Sequence, residues 1–60
     1  MYSTKHGIVA STLEEAKTWN TALQWTLNTI RSEAHRSPPK MKATLLRMAA
    51  TMEEDTFIID

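Results

Sequence analysis

The chain has 60 residues, no cysteine, and seven basic residues against seven acidic ones, so its formal net charge is zero. A chain of this length forms at most one domain with a marginal hydrophobic core, and here no disulfide can support that core. The charge balance argues against strong non-specific binding to nucleic acid or to an anionic membrane, and no apolar run approaches the roughly 20 residues of a membrane span. We therefore expect a cytoplasmic protein that gains stability by oligomerising.

Residues 1–10 are predicted to form an extended arm, because they show no helical period and include Tyr2, Ile8 and Val9, which favour extended structure. A short strand or extended arm is predicted around Lys5–Ala10. A lone strand cannot satisfy its own backbone groups, so it needs a partner. The same arm of a second subunit is the nearest candidate.

A first helix is predicted over residues 11–37. The segment Ser11-Thr12-Leu13-Glu14-Glu15 contains two overlapping capping boxes, in which a hydroxyl residue is followed three positions later by a glutamate. Both glutamates also suit the positive end of the helix dipole. The pair Pro38-Pro39 ends this helix.

A second helix is predicted over residues 38–55, with Ser37 as its cap and proline in its first turn. Residues 56–60 form a tail, in which Phe57-Ile58-Ile59 either continues the helix or folds back.

Apolar residues recur in both helices at alternating three- and four-residue steps, which is the heptad pattern of packed helices. We call these residues the heptad stripe: Leu13, Ala16, Asn20, Leu23, Leu27, Ile30 and Ala34 in helix 1, and Met41, Leu45, Met48 and Met52 in helix 2, with Ile59 in phase beyond. The predicted fold is therefore mostly α, with a short N-terminal strand or arm followed by an antiparallel two-helix hairpin. Because one hairpin leaves half of each stripe exposed, two hairpins are expected to dimerise into a four-helix arrangement.

Three large side chains lie off the stripe and are candidate partner contacts: Trp25, Leu46 and Phe57. Trp25 has two equally weighted interpretations. Either it lies under the N-terminal arm, or it belongs to an interface with a subunit or another protein, where tryptophan is enriched. The role of Asn20 also has two interpretations. A polar residue in a heptad stripe either sets the register and the number of subunits, or reaches water at the edge of the helix contact.

Charges segregate along the predicted hairpin. The loop end carries basic residues and the open end acidic ones, among them Glu14, Glu15, Glu53, Glu54 and Asp55. An antiparallel dimer would place each basic end beside the acidic end of its partner, and we expect that orientation.

The sequence contains no pattern that indicates catalysis, a cofactor or a metal site: there is no phosphate-cradling glycine loop, no paired cysteines and no nucleophile elbow. We therefore predict that the protein is not an enzyme. Three methionines of the stripe have two compatible interpretations, as core residues or as the lining of an adaptable groove for an amphipathic helix.

Nucleic-acid binding is the alternative function. It would use the basic loop end, where the candidate phosphate contacts are Arg31, Arg36, Lys40 and Lys42. Against it, the cluster is small, and the turn lacks the glycine and the third helix of a helix-turn-helix domain.

The layout of Lys5–Ala10 extended, Ser11–Ser37 helical and Pro38–Glu54 helical resembles the small early proteins of lambda-like temperate phages, encoded between the recombination and excision genes. The resemblance implies an intertwined dimer made early in infection, which favours lytic development through host or phage protein partners. It transfers no functional residue. The expected function is thus a homodimeric protein-interaction module.

Overall fold

A computed structural model describes residues 1–59, and Asp60, the last residue of the predicted tail, lies outside the described residues. The elements in chain order are β1 (Tyr2–Ser3), β2 (Val9–Ala10), α1 (Leu13–Arg36) and α2 (Pro39–Glu53). The predicted fold class is confirmed at this level: a short extended arm precedes an antiparallel hairpin of two packed helices. The dimer stays a prediction.

The arm is a small β-hairpin within the chain. Strands β1 and β2 are antiparallel, with Tyr2 opposite Ala10. The turn between them is closed by a hydrogen bond from the Gly7 amide to the Thr4 carbonyl at 3.0 Å. Gly7 has φ = 87°, a conformation that costs glycine little. The expected arm is thus present, with a strand at the last two residues of Lys5–Ala10, and the partner of that strand is β1 of the same chain rather than a second subunit.

Helix α1 begins with one of the two predicted capping boxes. The Thr12 hydroxyl oxygen accepts a hydrogen bond from the Glu15 amide at 3.2 Å, and the Glu15 carboxylate accepts one from the Ser11 amide at 3.0 Å. The Glu15 amide, which the first helical turn leaves unpaired, is thereby satisfied, and so is the Ser11 amide just before the cap. Thr12, rather than Ser11, is the cap residue.

Ser37 ends α1 and does not cap α2, so that prediction was wrong. Its amide donates to the Ala34 carbonyl at 3.2 Å, and its hydroxyl donates to the Glu33 carbonyl at 2.8 Å. The reason is steric, because a residue before proline is forced into the extended region, and both Ser37 and Pro38 precede one. Pro38 becomes the first boundary residue of α2, without a side-chain cap.

The chain turns back after α2. The Asp55 amide donates to the Met52 carbonyl at 3.0 Å, and the Thr56 amide donates to the Glu53 carbonyl at 3.2 Å, which tightens the last turn. Of the two alternatives for Phe57-Ile58-Ile59, the structure adopts the fold-back, so Ile59 does not continue the stripe of helix 2.

Two small apolar clusters hold the fold together. The first joins α1 to α2, and its members are Leu23, Leu27 and Ala49 with Ile30 and Met52 packed against them. The second joins the arm and the returning tail to the start of α1, and its members are Ala10, Ala16 and Phe57 with Tyr2, Ile8 and Ile59. Phe57 is only 3% exposed, so its predicted role as a partner contact is replaced by a role in this core.

The molecule is one helical layer thick. Its dimensions are 41 × 18 × 15 Å, and its radius of gyration is 13.2 Å, whereas a compact domain of this length would have about 10 Å. Across the described residues, neither helix is long and apolar enough to cross a membrane. Because no second layer covers the apolar residues of the helices, two surfaces of the molecule remain uncovered.

Candidate interaction surfaces

The outer side of α1 is uncharged along most of its length. No Asp, Glu, Lys or Arg occurs from Thr18 to Ile30, and Trp25 in the middle of this run is 76% exposed. We call the exposed residues on this side the tryptophan face: Thr18, Thr21, Ala22, Trp25, Thr29 and Ser32. The arm packs on the opposite side of α1, against Ala16, so the interpretation that it covers Trp25 was wrong.

Two threonine hydroxyls of the tryptophan face are already hydrogen-bonded within the helix. Thr21 donates to the Lys17 carbonyl at 3.0 Å, and Thr29 donates to the Trp25 carbonyl at 3.1 Å. Burying these residues would therefore leave no hydroxyl proton without an acceptor, and the usual cost of desolvating a donor is avoided. A shallow hollow beside Trp25 is lined by Lys17, Thr18, Thr21, Ala22, Trp25 and Thr26.

The second uncovered surface runs along one side of the groove between the helices. We call it the methionine face: Ile30, Met41, Leu45, Met48 and Met52. Met41 and Met48 are 52% and 50% exposed, and the other three are partly buried.

The heptad stripe is thus only partly a core. Ala16, Leu23, Leu27 and Ala34 of its α1 half are buried, whereas Leu13 at the start of α1 is exposed. In α2 the buried position is Ala49, one residue beyond Met48. The small alanine lets the two helices approach closely, and this turns Met41 and Met48 to the edge of the contact.

Asn20 has a role that neither interpretation anticipated. Its side-chain amide donates to the Phe57 carbonyl at 2.9 Å, and its side-chain carbonyl accepts from the Phe57 amide at 2.8 Å. The neighbouring Trp19 donates its indole N–H to the Asp55 carbonyl at 2.8 Å and packs edge-on against the Phe57 ring at 6.3 Å. Both side chains therefore anchor the returning tail to α1.

The acidic end of α2 is paired within the chain. Glu54 lies 3.5 Å from Lys5 and 3.5 Å from His6, and the Asp55 carboxylate lies 3.0 Å from His6 and accepts a hydrogen bond from Thr4 at 2.9 Å. Burial raises the pKa of Asp55, but the hydrogen bonds from Thr4 and His6 and the charge of His6 outweigh it, so the pKa lies below its usual 3.8. These carboxylates hold the arm onto α2, which leaves them less available to a second subunit.

The basic residues of the loop end are also partly paired. Arg31 lies 2.6 Å from Glu53, across the two helices, and Arg36 lies 3.7 Å from Glu33. Of the four predicted phosphate contacts, Lys40 is exposed and Lys42 is partly buried. Leu46, the remaining predicted partner contact, is 42% exposed beside His35 and Lys42 rather than in either apolar surface.

The two uncovered apolar surfaces are the candidate binding sites of this chain. Within residues 1–59 no three His, Asp or Glu side chains are grouped as a metal site would need. Sequence reasoning missed Ala22 and the role of Trp19, although the charge-free run from Thr18 to Ile30 was a readable signal for an uncovered helix side.

The chain matches no protein-family model, and neither a curated protein nor a solved structure matches it.

Proposed function

We propose that this protein is a non-enzymatic, homodimeric protein-interaction module, and that its methionine face binds an amphipathic helix of a protein partner. The observation that carries the proposal is the half-exposed pair Met41 and Met48 beside an otherwise closed helix–helix contact.

The dimensions of the methionine face suit a helix. Met41 and Met48 are two helical turns apart, and Met52 extends the row to about 16 Å along α2. A partner helix of about three turns would present apolar residues at four- and seven-residue spacings along that length. Methionine side chains are flexible and polarisable, so they adapt to the shape of such a residue set.

The proposed setting is a temperate phage infection, in which the module acts early in the host cytoplasm and favours lytic development through a host or phage protein. This part rests on the layout of an extended arm followed by two helices. The nucleic-acid alternative receives less support, because Arg31 is engaged in an intramolecular ion pair with Glu53.

The test is affinity capture from a bacterial lysate with matched variants. Met48→Glu places a charge in the methionine face, and Ala43→Glu places the same charge on an exposed side of α2 that points away from that face. We expect the wild type and Ala43→Glu to recover the same protein and Met48→Glu to lose it, and the purified protein should then bind the wild type in isothermal titration. Recovery abolished by nuclease would favour the nucleic-acid alternative. Equal recovery by all three chains would reject the methionine face as the binding surface.

A further inference from the structure

Oppositely charged residues lie near the two ends of α1, equally far from Trp25. Glu14 precedes Trp25 by the same number of residues by which Arg36 follows it. Between them lies the uncharged run with the tryptophan face. If two copies of α1 lie antiparallel with their Trp25 residues together, residues whose numbers add to 50 stand at the same height along the common axis.

We infer that a second copy of this chain docks on the tryptophan face, with the two α1 helices antiparallel and the two-fold axis passing through Trp25. The inference rests on the proposed homodimer and assigns it a surface and a register. The methionine face of each copy stays free for another partner.

The side-chain directions agree with this pairing. Successive residues of a helix point about 100° apart, so Thr18, Trp25, Thr29 and Ser32 share one side of α1, as do Glu14 and Arg36 at its ends. Thr18 would therefore face Ser32 of the other copy, Thr21 and Thr29 would border the contact, and the two Trp25 rings would meet on the axis. A two-fold contact uses the same surface on both copies, and this surface is complementary to itself.

The free-energy cost of removing water from the contact is also small. The hydroxyl protons of Thr21 and Thr29 already have acceptors within α1, so their methyl groups can be buried without loss of hydrogen bonds. Interface centres are typically depleted of charge and enriched in aromatic residues, with charges at the rim. The outer side of α2 lacks this arrangement, because it carries Lys40 and Arg47.

Cysteine cross-linking measures the register directly, because the natural chain contains no cysteine. We would prepare Thr18→Cys and Ser32→Cys chains, oxidise each alone and then oxidise an equal mixture. We expect cross-linked dimer in the mixture and little in either single sample. Met48→Cys and Ala43→Cys serve as controls at the methionine face and on the side of α2 that points away from it, and both should stay uncross-linked.

Each other outcome overturns the inference. Cross-linking of Thr18→Cys with itself would show a parallel pairing, and cross-linking of Met48→Cys would place the dimer at the methionine face while leaving the proposed homodimer intact. A wild-type chain that remains monomeric by light scattering at all concentrations would reject the homodimer itself.

Charge reversal provides an independent test of the register, because a mixture of two variants is compared with each variant alone. Glu14→Arg and Arg36→Glu each set like charges together at both ends of a homodimer, so each chain alone should self-associate about tenfold more weakly. Mixing the two chains restores opposite charges at both ends, and the mixed dimer should regain roughly wild-type affinity in sedimentation equilibrium. Circular dichroism checks that both chains stay helical. Failure of the mixture to associate more tightly than the separate chains would contradict the register.

Discussion

The Asn20 side chain pairs with the Phe57 backbone much as a neighbouring strand would, donating to its carbonyl at 2.9 Å and accepting from its amide at 2.8 Å. Helix α1 thus supplies the hydrogen bonds that a tail outside any sheet or helix lacks. Since Phe57 is buried in the cluster that also holds the arm, these two bonds stabilise both ends of the chain.

Replacement of Asn20 by alanine should therefore destabilise the protein by about 2 kcal/mol, because it leaves a partly buried amide and carbonyl of Phe57 unpaired. Urea unfolding followed by circular dichroism measures this change. Asn28→Ala is the matched control, since Asn28 is exposed and its side chain makes only one hydrogen bond within residues 1–59, with Gln24 at 3.4 Å on the same helix. It should change the free energy of unfolding by less than about 0.5 kcal/mol. Equal effects of the two substitutions would show that Asn20 does not anchor the tail.

The two halves of the predicted stripe should differ in their contribution to stability. Leu27→Ala removes a fully buried side chain from the contact between α1 and α2 and should cost about 3 kcal/mol. Met48→Ala removes a half-exposed side chain and should cost under about 1 kcal/mol in the monomer. Thermal unfolding at low protein concentration measures both. A larger loss for Met48→Ala would mean that Met48, rather than Ala49, occupies the core of the hairpin.

Acid should weaken the attachment of the arm through Asp55. Its pKa is lower in the folded chain than the unfolded value of about 3.9, so the ionised carboxylate stabilises the fold above that value. This stabilisation is lost as the pH falls through the folded pKa. Asp55→Asn should therefore flatten the decline of stability below about pH 4, measured by urea unfolding at a series of pH values.

Thr4→Val supplies the second variant for that experiment. It removes the hydrogen bond from Thr4 to Asp55 but keeps the carboxylate, so it should flatten the acid dependence partly. A profile unchanged in both variants would contradict a stabilising role for the ionised Asp55.

The ion pair between Arg31 and Glu53 should contribute little on its own. The two side chains are 39% and 57% exposed, and pairs of this kind contribute about 0.2–1 kcal/mol in water. A double-mutant cycle with Arg31→Met and Glu53→Gln should return a coupling in that range that decreases in 0.5 M salt. A coupling that salt leaves unchanged would indicate a contact shielded from solvent.

Local patterns predicted most of the secondary structure. The capping box at Thr12 and Glu15, the proline pair, and the three- and four-residue spacing of Ala16, Leu23 and Leu27 act within a few residues, so they are readable along the chain. Ser37 was misassigned even so, because Pro39 holds Pro38 in the extended region, and α2 therefore begins one residue later with Pro38 at the cap position.

The candidate surfaces were only partly predictable. The exposure of Trp25 on the outer side of α1 follows from helical spacing, and so does the charge-free run around it. The half-exposure of Met48 does not follow, because it depends on how far α2 is rotated about its own axis when it packs on α1. Ala49 decides that rotation, since its small side chain permits the closest approach of the two helices.

By itself the sequence determined that an extended arm precedes two helices joined at Pro38-Pro39, and that α1 carries complementary charges about Trp25. Only the tertiary structure decided that β2 pairs with β1 of its own chain, that Phe57 returns to Asn20, and that Glu53, Glu54 and Asp55 are paired within the chain. These contacts join residues that are distant along the chain. Their partners are set by the path of the folded backbone, which no local spacing encodes.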